Sequence, residues 1–204
     1  MTMTRINFTR DDIRAYQAGR KTMARRVIKT QPPHWHWYTH KTPDFNVQAS
    51  LNDAREYWVK CPYGYPGYLL LVRETWNSDQ EYAYLKPSEI PEGAPIYYRA
   101  DMGEPDPDGV RPIWRPSIFM PRWASRFILE IVSVKVERIQ DITEEDARKE
   151  GIYQLGGVFE SSPNHAMGST ARDAFMWLWE SNHGKGAWSR NEWVWVVEFE
   201  GVGR

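Results

Sequence analysis

The segment Gly19-Arg20-Lys21-Thr22-Met23-Ala24-Arg25-Arg26 places a glycine, a threonine and four cations next to one another. A short helical pattern, Asp11 to Gln17, precedes it, with Asp12 near the predicted start and Gly19 as the predicted stop. The apolar step Val27-Ile28 follows it. The segment therefore joins a helix to a strand or loop, a place where backbone amides and cationic side chains converge.

A run of charge is most often a solvated surface, and composition alone favours that interpretation for Arg20, Lys21, Arg25 and Arg26. The alternative is a site that binds phosphate or nucleic acid. The family resemblance described below favours this second interpretation.

Composition predicts one domain spanning residues 1–204, since 204 residues that are 41% hydrophobic suffice for one core. The formal net charge is −1, so any contact with nucleic acid must come from a local patch. One cysteine, Cys61, excludes a disulfide framework and a cysteine-rich zinc site. The polar N-terminus and the lack of a long apolar run argue against a signal peptide or a membrane span. We expect a cytoplasmic protein with no membrane partner.

Three stretches, residues 30–54, 77–117 and 153–169, are predicted to be loop insertions, the second with a short strand at Ile96–Arg99. In the first, His34, His36 and His40 alternate with aromatic residues. No cysteine or suitably spaced carboxylate completes a metal site there. We expect an aromatic lid, no metal and no cofactor.

The remaining chain reads mainly as strands. Residues 56–60, 68–76, 127–139 and 192–200 follow strand patterns, and residues 141–151 and 170–183 follow helical ones. Along 127–139 the alternation predicts odd-numbered side chains on one face and even-numbered ones on the other. Short strands outnumber helices, which predicts an α+β fold, a small mixed β-barrel decorated with two or three helices.

A second basic and aromatic cluster runs from Trp114 to Arg126. Its arginines and tryptophans interleave, a composition suited to cation–π contacts and nucleotide recognition. The alternative is packing, with arginine stems covering a loop. The same choice holds for Arg73 and Glu74, which either line the mouth of the barrel or form a structural ion pair.

Motifs spread over nearly the whole chain resemble the ASCH domain family of the PUA-like superfamily, in particular its phage and prophage members. The motifs are Gly19-Arg20-Lys21-Thr22-Met23, Pro66-Gly67 with Leu71-Val72-Arg73-Glu74-Thr75-Trp76, Trp114 to Arg126, Ile142-Thr143-Glu144-Glu145-Asp146-Ala147 with Glu150-Gly151, and Trp193-Val194-Trp195-Val196-Val197-Glu198-Phe199.

The resemblance implies a β-barrel around a cleft and, for some members, RNA binding. It also implies amide hydrolysis, since some small members convert N4-acetylcytidine to cytidine and a carboxylate. Their pattern is Gly-x-Lys-Thr-x-Thr, in which the second threonine is the proposed nucleophile and a later glutamate completes the set. By motif, Lys21 matches the lysine, Glu150 the glutamate and Ala24 the nucleophile position.

Ala24 is a departure from that pattern, because alanine has no hydroxyl to attack a carbonyl. Three explanations stay open: an engineered inactive variant, a naturally inactive binder, or replacement of the nucleophile by Thr22 or water. Thr22 lies two residues away, which displaces its hydroxyl by several ångströms. A second departure is Tyr68-Leu69-Leu70, where phage relatives usually carry an aspartate, with a tryptophan nearby.

The resemblance also assigns roles around the cleft. Lys21 is expected to lose its proton readily and act as a base, with Glu150 orienting it or relaying a proton. Arg73 or the amides near Gly19 would hold the oxyanion, and Trp76, Trp123 or Tyr98 would stack on the pyrimidine. The substrate-binding positions expected from the motifs are Arg20, Thr22, Arg26, Arg73, Glu74, Trp76, Arg115, Ser117, Arg122, Trp123 and Ser125.

The sequence therefore predicts a hydrolase of N4-acylated cytidine, whose partner is a small modified nucleoside. The alternative is a non-catalytic module that binds RNA or single-stranded nucleic acid. The near-zero net charge favours the nucleoside over a long polymer. A role in virion assembly rests on phage association alone and ranks last.

Overall fold

The computed structural model describes residues 2–29, 31, 35–39, 46–51, 55–102, 113–162 and 167–202. Its helices are α1 (Arg10–Gln17), α2 (Glu144–Lys149) and α3 (Ala171–His183). Its strands are β1 (Met3–Asn7), β2 (Met23–Val27), β3 (Trp35–Thr39), β4 (Asn46–Leu51), β5 (Arg55–Lys60), β6 (Leu69–Arg73), β7 (Trp76–Ser78), β8 (Ile96–Tyr98), β9 (Ile128–Arg138), β10 (Tyr153–Leu155), β11 (Val158–Glu160) and β12 (Trp193–Gly201). The predicted α+β class is confirmed. None of these helices is long and apolar enough to cross a membrane.

The main sheet has five strands in the order β1-β6-β9-β12-β2. Strands β1 and β6 are parallel, and every other neighbouring pair is antiparallel. No strand pairing joins β1 to β2 in the described residues, so the sheet is open and the predicted closed barrel is not seen. A side chain crosses the gap instead, because Arg26 Nη2 on β2 donates to the backbone oxygen of Asn7 on β1 at 2.9 Å.

The sheet surrounds one apolar cluster to which all five strands contribute. Ile6, Ala24, Val72, Ile131 and Val197 each bring one strand into it. Since residues from both edge strands reach the same cluster, the sheet must curve around it. Helix α1 adds a further buried side chain to this core.

The opposite face of β12 packs against α2 and α3. Val194 and Val196 lie in a second cluster with Ala147 of α2 and Phe175 of α3. Strand β12 is thus buried on both faces from Val194 to Val197, and the alternation expected for it is incomplete. A continuous apolar run is what a strand covered on both sides requires.

A bulge in β9 changes which side chains point inward. Ser133 pairs with Glu198 and Ile131 with Phe199, so Val132 has no opposite residue and its side chain is 49% exposed. Before the bulge Ile131 is buried, and after it Val134 is. The predicted strict alternation is therefore wrong beyond Ile131, because one extra residue shifts the side-chain phase.

Parts of the predicted loops form small sheets. Strands β3, β4 and β5 form an antiparallel meander within and beside residues 30–54, and β10 and β11 form a hairpin within 153–169. Residues 77–117 are mostly irregular where described, with the expected strand at β8. His34 and His40 lie outside the described residues, and of His36 only the backbone is described.

Threonine caps begin the three helices, and the predicted stop of α1 at Gly19 is confirmed. Thr9 caps α1 through a capping box with Asp12, and Gly19 follows with a φ of +70°. Thr143 accepts a hydrogen bond from the Asp146 amide at the start of α2, and Thr170 caps α3 in the same way. These local signals fix where the chain enters and leaves each helix.

Val197→Ala should destabilise the fold by about 2 kcal/mol, because the side chain is fully buried and its loss leaves a cavity. Val132→Ala, the same change at the bulge, should stay within about 0.5 kcal/mol. Urea unfolding of both variants measures the difference. Equal effects would contradict the bulge and the inward phase of the strands.

Candidate functional site

A buried ion pair joins the segment after α1 to the end of α2. Lys21 Nζ lies 2.9 Å from Glu150 Oε2 and 3.0 Å from Asp12 Oδ1. It also donates to the backbone oxygen of Glu150 at 2.9 Å. Lys21 is 2% exposed and Glu150 5% exposed. The two residues that the motifs pair are therefore in direct contact.

Arg25 on β2 extends this pair into a network. Its Nη1 lies 3.2 Å from Glu150 Oε1 and its Nη2 lies 2.8 Å from Asp146 Oδ2. Its Nε donates to Glu137 Oε1 at 3.0 Å. Glu150 is thus shared between two buried cations, which satisfies charges that would otherwise be costly to bury.

The network keeps Lys21 charged. Burial alone lowers the pKa of Lys21, but the carboxylates of Asp12 and Glu150 outweigh it and hold the pKa above its usual value. The expectation that Lys21 loses its proton readily is therefore wrong. Burial also raises the pKa of Asp12, yet Lys21, Arg26 and the Thr9 amide bring it below its usual value. Lys21 is therefore an ammonium and Asp12 a carboxylate at neutral pH.

A cavity of about 260 Å³ opens beside this network. Its charged wall carries Lys21, Arg25 and Glu150. Another part of its lining comes from α3, where the rings of Trp179 and His183 stack at 3.8 Å between centroids. The lining residues are Asn7, Thr9, Asp12, Lys21, Arg25, Arg26, Glu150, Phe175, Leu178, Trp179, Asn182 and His183. A lining that combines aromatic rings with polar groups suits a flat heterocycle with hydrogen-bonding edges.

Ala24 does not line this cavity. It is 0% exposed in the core cluster, which also contains Phe8. The Phe8 ring lies 5.9 Å from Lys21 Nζ, so the cluster reaches to the edge of the ion pair. Thr9 supplies the one hydroxyl among the lining residues, and this hydroxyl caps α1.

Three of the other predicted binding residues lie at or beside the network. Arg26 lines the cavity, whereas Arg20 and Thr22 line a separate open groove. In that groove the Arg20 guanidinium lies 4.0 Å above the Tyr153 ring.

The rest of the predicted set lies outside the lining of the cavity. Glu74 is buried and paired with Arg126, and Trp76 is fully buried in a third apolar cluster with Trp123 packed against it. The remaining positions contact the following partners: Arg115 the backbone oxygens of Tyr82 and Ala83, Ser125 the backbone oxygen of Val72, Arg73 the side chain of Asn7 and the backbone oxygen of Ile118, and Arg122 the sulfur of Met3. Ser117 begins a 3₁₀ turn. These contacts favour the packing interpretation for Arg115 and Ser125, whereas Arg122 is exposed.

Several lining residues were missed from the sequence. Asp12 was noted as a helix start and not as a partner of Lys21. Phe175, Trp179 and His183 lie in the predicted helix 170–183, and no binding role was predicted for them. The spacing of Trp179 and His183, one helical turn apart, is a signal that could have placed their rings together. The described residues contain no group of three potential metal ligands.

Lys21→Met should destabilise the protein by about 3 kcal/mol, because it removes the buried cation that pairs with Asp12 and leaves Glu150 to share Arg25 with two other carboxylates. Lys149→Met, the same change at a more exposed lysine paired with Glu145 and Glu198, should cost less than about 1 kcal/mol. Urea unfolding at neutral pH compares them. Similar losses of unfolding free energy in the two variants would contradict a larger contribution of the buried pair to stability.

Acid should weaken the pair through Asp12. Its pKa in the folded protein lies below its unfolded value, so its stabilisation is fully present above about pH 4 and is lost as pH falls through the folded value. Asp12→Asn has no such carboxylate to protonate. The difference in unfolding free energy between the two proteins should therefore shrink between about pH 5 and pH 2. A difference independent of pH would contradict the depressed pKa.

Comparison with known proteins gives no match, whether to family models, to curated proteins or to solved structures. The geometry of the cavity and the resemblance of the motifs are therefore the grounds on which a function is proposed.

Proposed function

We propose that the cavity is a nucleoside site of the PUA-like type and that its chemistry is hydrolysis of N4-acylated cytidine, with the nucleophile missing at Ala24. The observation that carries this proposal is the contact of Lys21 with Glu150 in the cavity wall. The finer fold assignment, a PUA-like barrel, is part of the same proposal. It is supported by the core shared among all five strands and by the Arg26 contact across the gap.

The walls suit the two halves of such a substrate. The pyrimidine would lie against Trp179 and His183, and the acyl group would point to the charged wall. The Lys21 ammonium is a preorganised cation that can stabilise an oxyanion on the acyl carbonyl. Because it is protonated, it serves as a proton donor rather than as the base.

Ala24 lies in the core cluster and not in the cavity wall, so the reaction requires that the acyl group pass the ion pair to reach position 24. With threonine there, the reaction would balance as follows. The threonine hydroxyl attacks the acyl carbon and gives its proton to Glu150. The carbon–nitrogen bond breaks, and N4 of cytidine takes a proton from Lys21. Water then attacks the acyl carbon of the ester and gives a proton to Lys21, and the threonine oxygen leaves with the proton held by Glu150. This releases the carboxylic acid, which ionises to the carboxylate, and restores the hydroxyl, the ammonium and the Glu150 carboxylate. Alanine supplies no hydroxyl, so this chain would bind the substrate without converting it.

The second candidate is a binding module for RNA or single-stranded nucleic acid. It is favoured by the lining itself, which among the described residues contains no serine or cysteine and one hydroxyl that already caps α1. The same cavity would then hold a base without chemistry. The two candidates differ in what a restored hydroxyl does.

Ala24→Thr should produce turnover of N4-acetylcytidine, followed by the ultraviolet shift to cytidine. Ala24→Val is the matched control, because valine has the shape of threonine without the hydroxyl. We expect a rate at least about 10³-fold higher for the threonine variant than for the valine variant. The unchanged chain should bind the substrate and leave it intact.

Turnover in all three proteins would place the nucleophile on water. Binding without turnover in any of them would favour the binding module. Absence of both binding and turnover in all three would overturn the nucleoside site.

A further inference from the structure

Three arginines lie along the outer side of β1, next to the cavity. Arg5 projects from β1 itself, exposed, with buried Ile6 facing the core. Arg122 reaches β1 from the 3₁₀ turn Arg122–Ala124, donating to the sulfur of Met3 at 3.3 Å. Arg5 and Arg122 line one open groove of about 400 Å³.

The third member connects this groove to the cavity. Arg73 stands opposite Asn7 in the pairing of β6 with β1, and its Nε donates to Asn7 Oδ1 at 3.0 Å. Asn7 lines the cavity, and its backbone oxygen accepts from Arg26. Asn7 therefore lies between the cavity and the arginines on the outer side of β1. We call Arg5, Arg73 and Arg122 the arginine track.

The track lacks counter-charges. None of its three guanidinium groups forms an ion pair with a carboxylate in the described part of the chain, whereas Arg25 and Arg126 each form at least two. Partial burial and the neighbouring charge of Arg5 lower the pKa of Arg73. Like charges held close together without carboxylates are a site at which an anion relieves repulsion.

We propose that the arginine track binds the phosphates of a single-stranded nucleic acid one of whose bases enters the cavity. The inference rests on the proposed nucleoside site and names its substrate class as a polymer rather than a free nucleoside. The overall charge of −1 does not oppose the binding of a polyanion, because carboxylates such as Glu150, Asp146 and Glu137 form ion pairs with interior cations.

The arrangement of the track fits a phosphate backbone. Arg122 contacts Met3, and Arg73 contacts Asn7, while Arg5 itself belongs to β1. These three positions of β1 alternate along the strand and lie about 7 Å apart. Such regular spacing suits a chain of repeating charges. Guanidinium groups bind phosphate oxygens in a bidentate manner. A single strand is required because a base in a duplex must leave its stack to enter a pocket.

The test uses the full chain and four probes: cytidine, N4-acetylcytidine, cytidine 5′-monophosphate and a short fluorescent oligocytidylate with one N4-acetylcytidine at its centre. The variant is Arg5→Gln/Arg122→Gln, which leaves the contacts of Arg73 intact. The matched control is Lys86→Gln/Arg190→Gln, an equal change of charge at exposed cations elsewhere.

We expect the oligonucleotide to bind at least about tenfold more tightly than either nucleoside at low salt, with an affinity that falls as salt rises. The track variant should lose most of that advantage, and its salt slope should be smaller by about 1.4, since each phosphate contact on a single strand contributes about 0.7. Its affinity for the nucleosides should stay unchanged. The control variant should match the unaltered protein.

Equal binding of the oligonucleotide by the track variant and the control would overturn the proposal while leaving the nucleoside site intact. Equal affinity for the monophosphate and the oligonucleotide would overturn the polymer as substrate. Track-dependent binding of the oligonucleotide together with no binding of either nucleoside would overturn the proposed nucleoside site and support the track.

Discussion

The sharing of Glu150 between Lys21 and Arg25 is the constraint on which the rest of the site depends. These three side chains are almost wholly removed from water, and charges can be buried only where opposite charges meet them. Lys21 follows α1, Arg25 belongs to β2 and Glu150 ends α2, so the pairing fixes how these three elements meet. Thr22 reinforces the junction by donating its backbone N–H to the Lys149 oxygen at 2.9 Å. The ion pairs that neutralise these buried charges thereby also form one wall of the cavity.

This constraint also decides what the wall can do. A lysine held by two carboxylates stays an ammonium, so it can stabilise negative charge and donate a proton but is a poor base. Arg25 forms ion pairs with three carboxylates and is not free to hold a ligand. Arg26 faces the same cavity without an ion pair in the described residues, and beyond it the arginine track continues along β1. Charge inside the protein is paired for structure, and unpaired charge lies where a ligand can reach it.

Local features were predictable from the sequence, and long-range ones were not. The helix stop at Gly19 was correctly predicted, because capping depends on neighbours within one turn. The shift in side-chain alternation at Val132 was not predicted, because the pairing with the partner strand determines where a bulge forms. Which arginines hold the fold depends on distant carboxylates: Arg126 meets Glu74, whereas Arg122 meets none in the described part of the chain. The contact of Lys21 with Glu150 came from the motif resemblance, since the two are 129 positions apart and spacing carries no such information.

The most direct measurement is a crystal structure of this chain with N4-acetylcytidine, which Ala24 should leave uncleaved. The account predicts the pyrimidine against Trp179 and the acyl oxygen within hydrogen-bonding distance of Lys21 Nζ, with the ion pair to Glu150 retained. A nucleoside bound elsewhere, or a cavity in which Lys21 has left Glu150 to make room for it, would contradict the account.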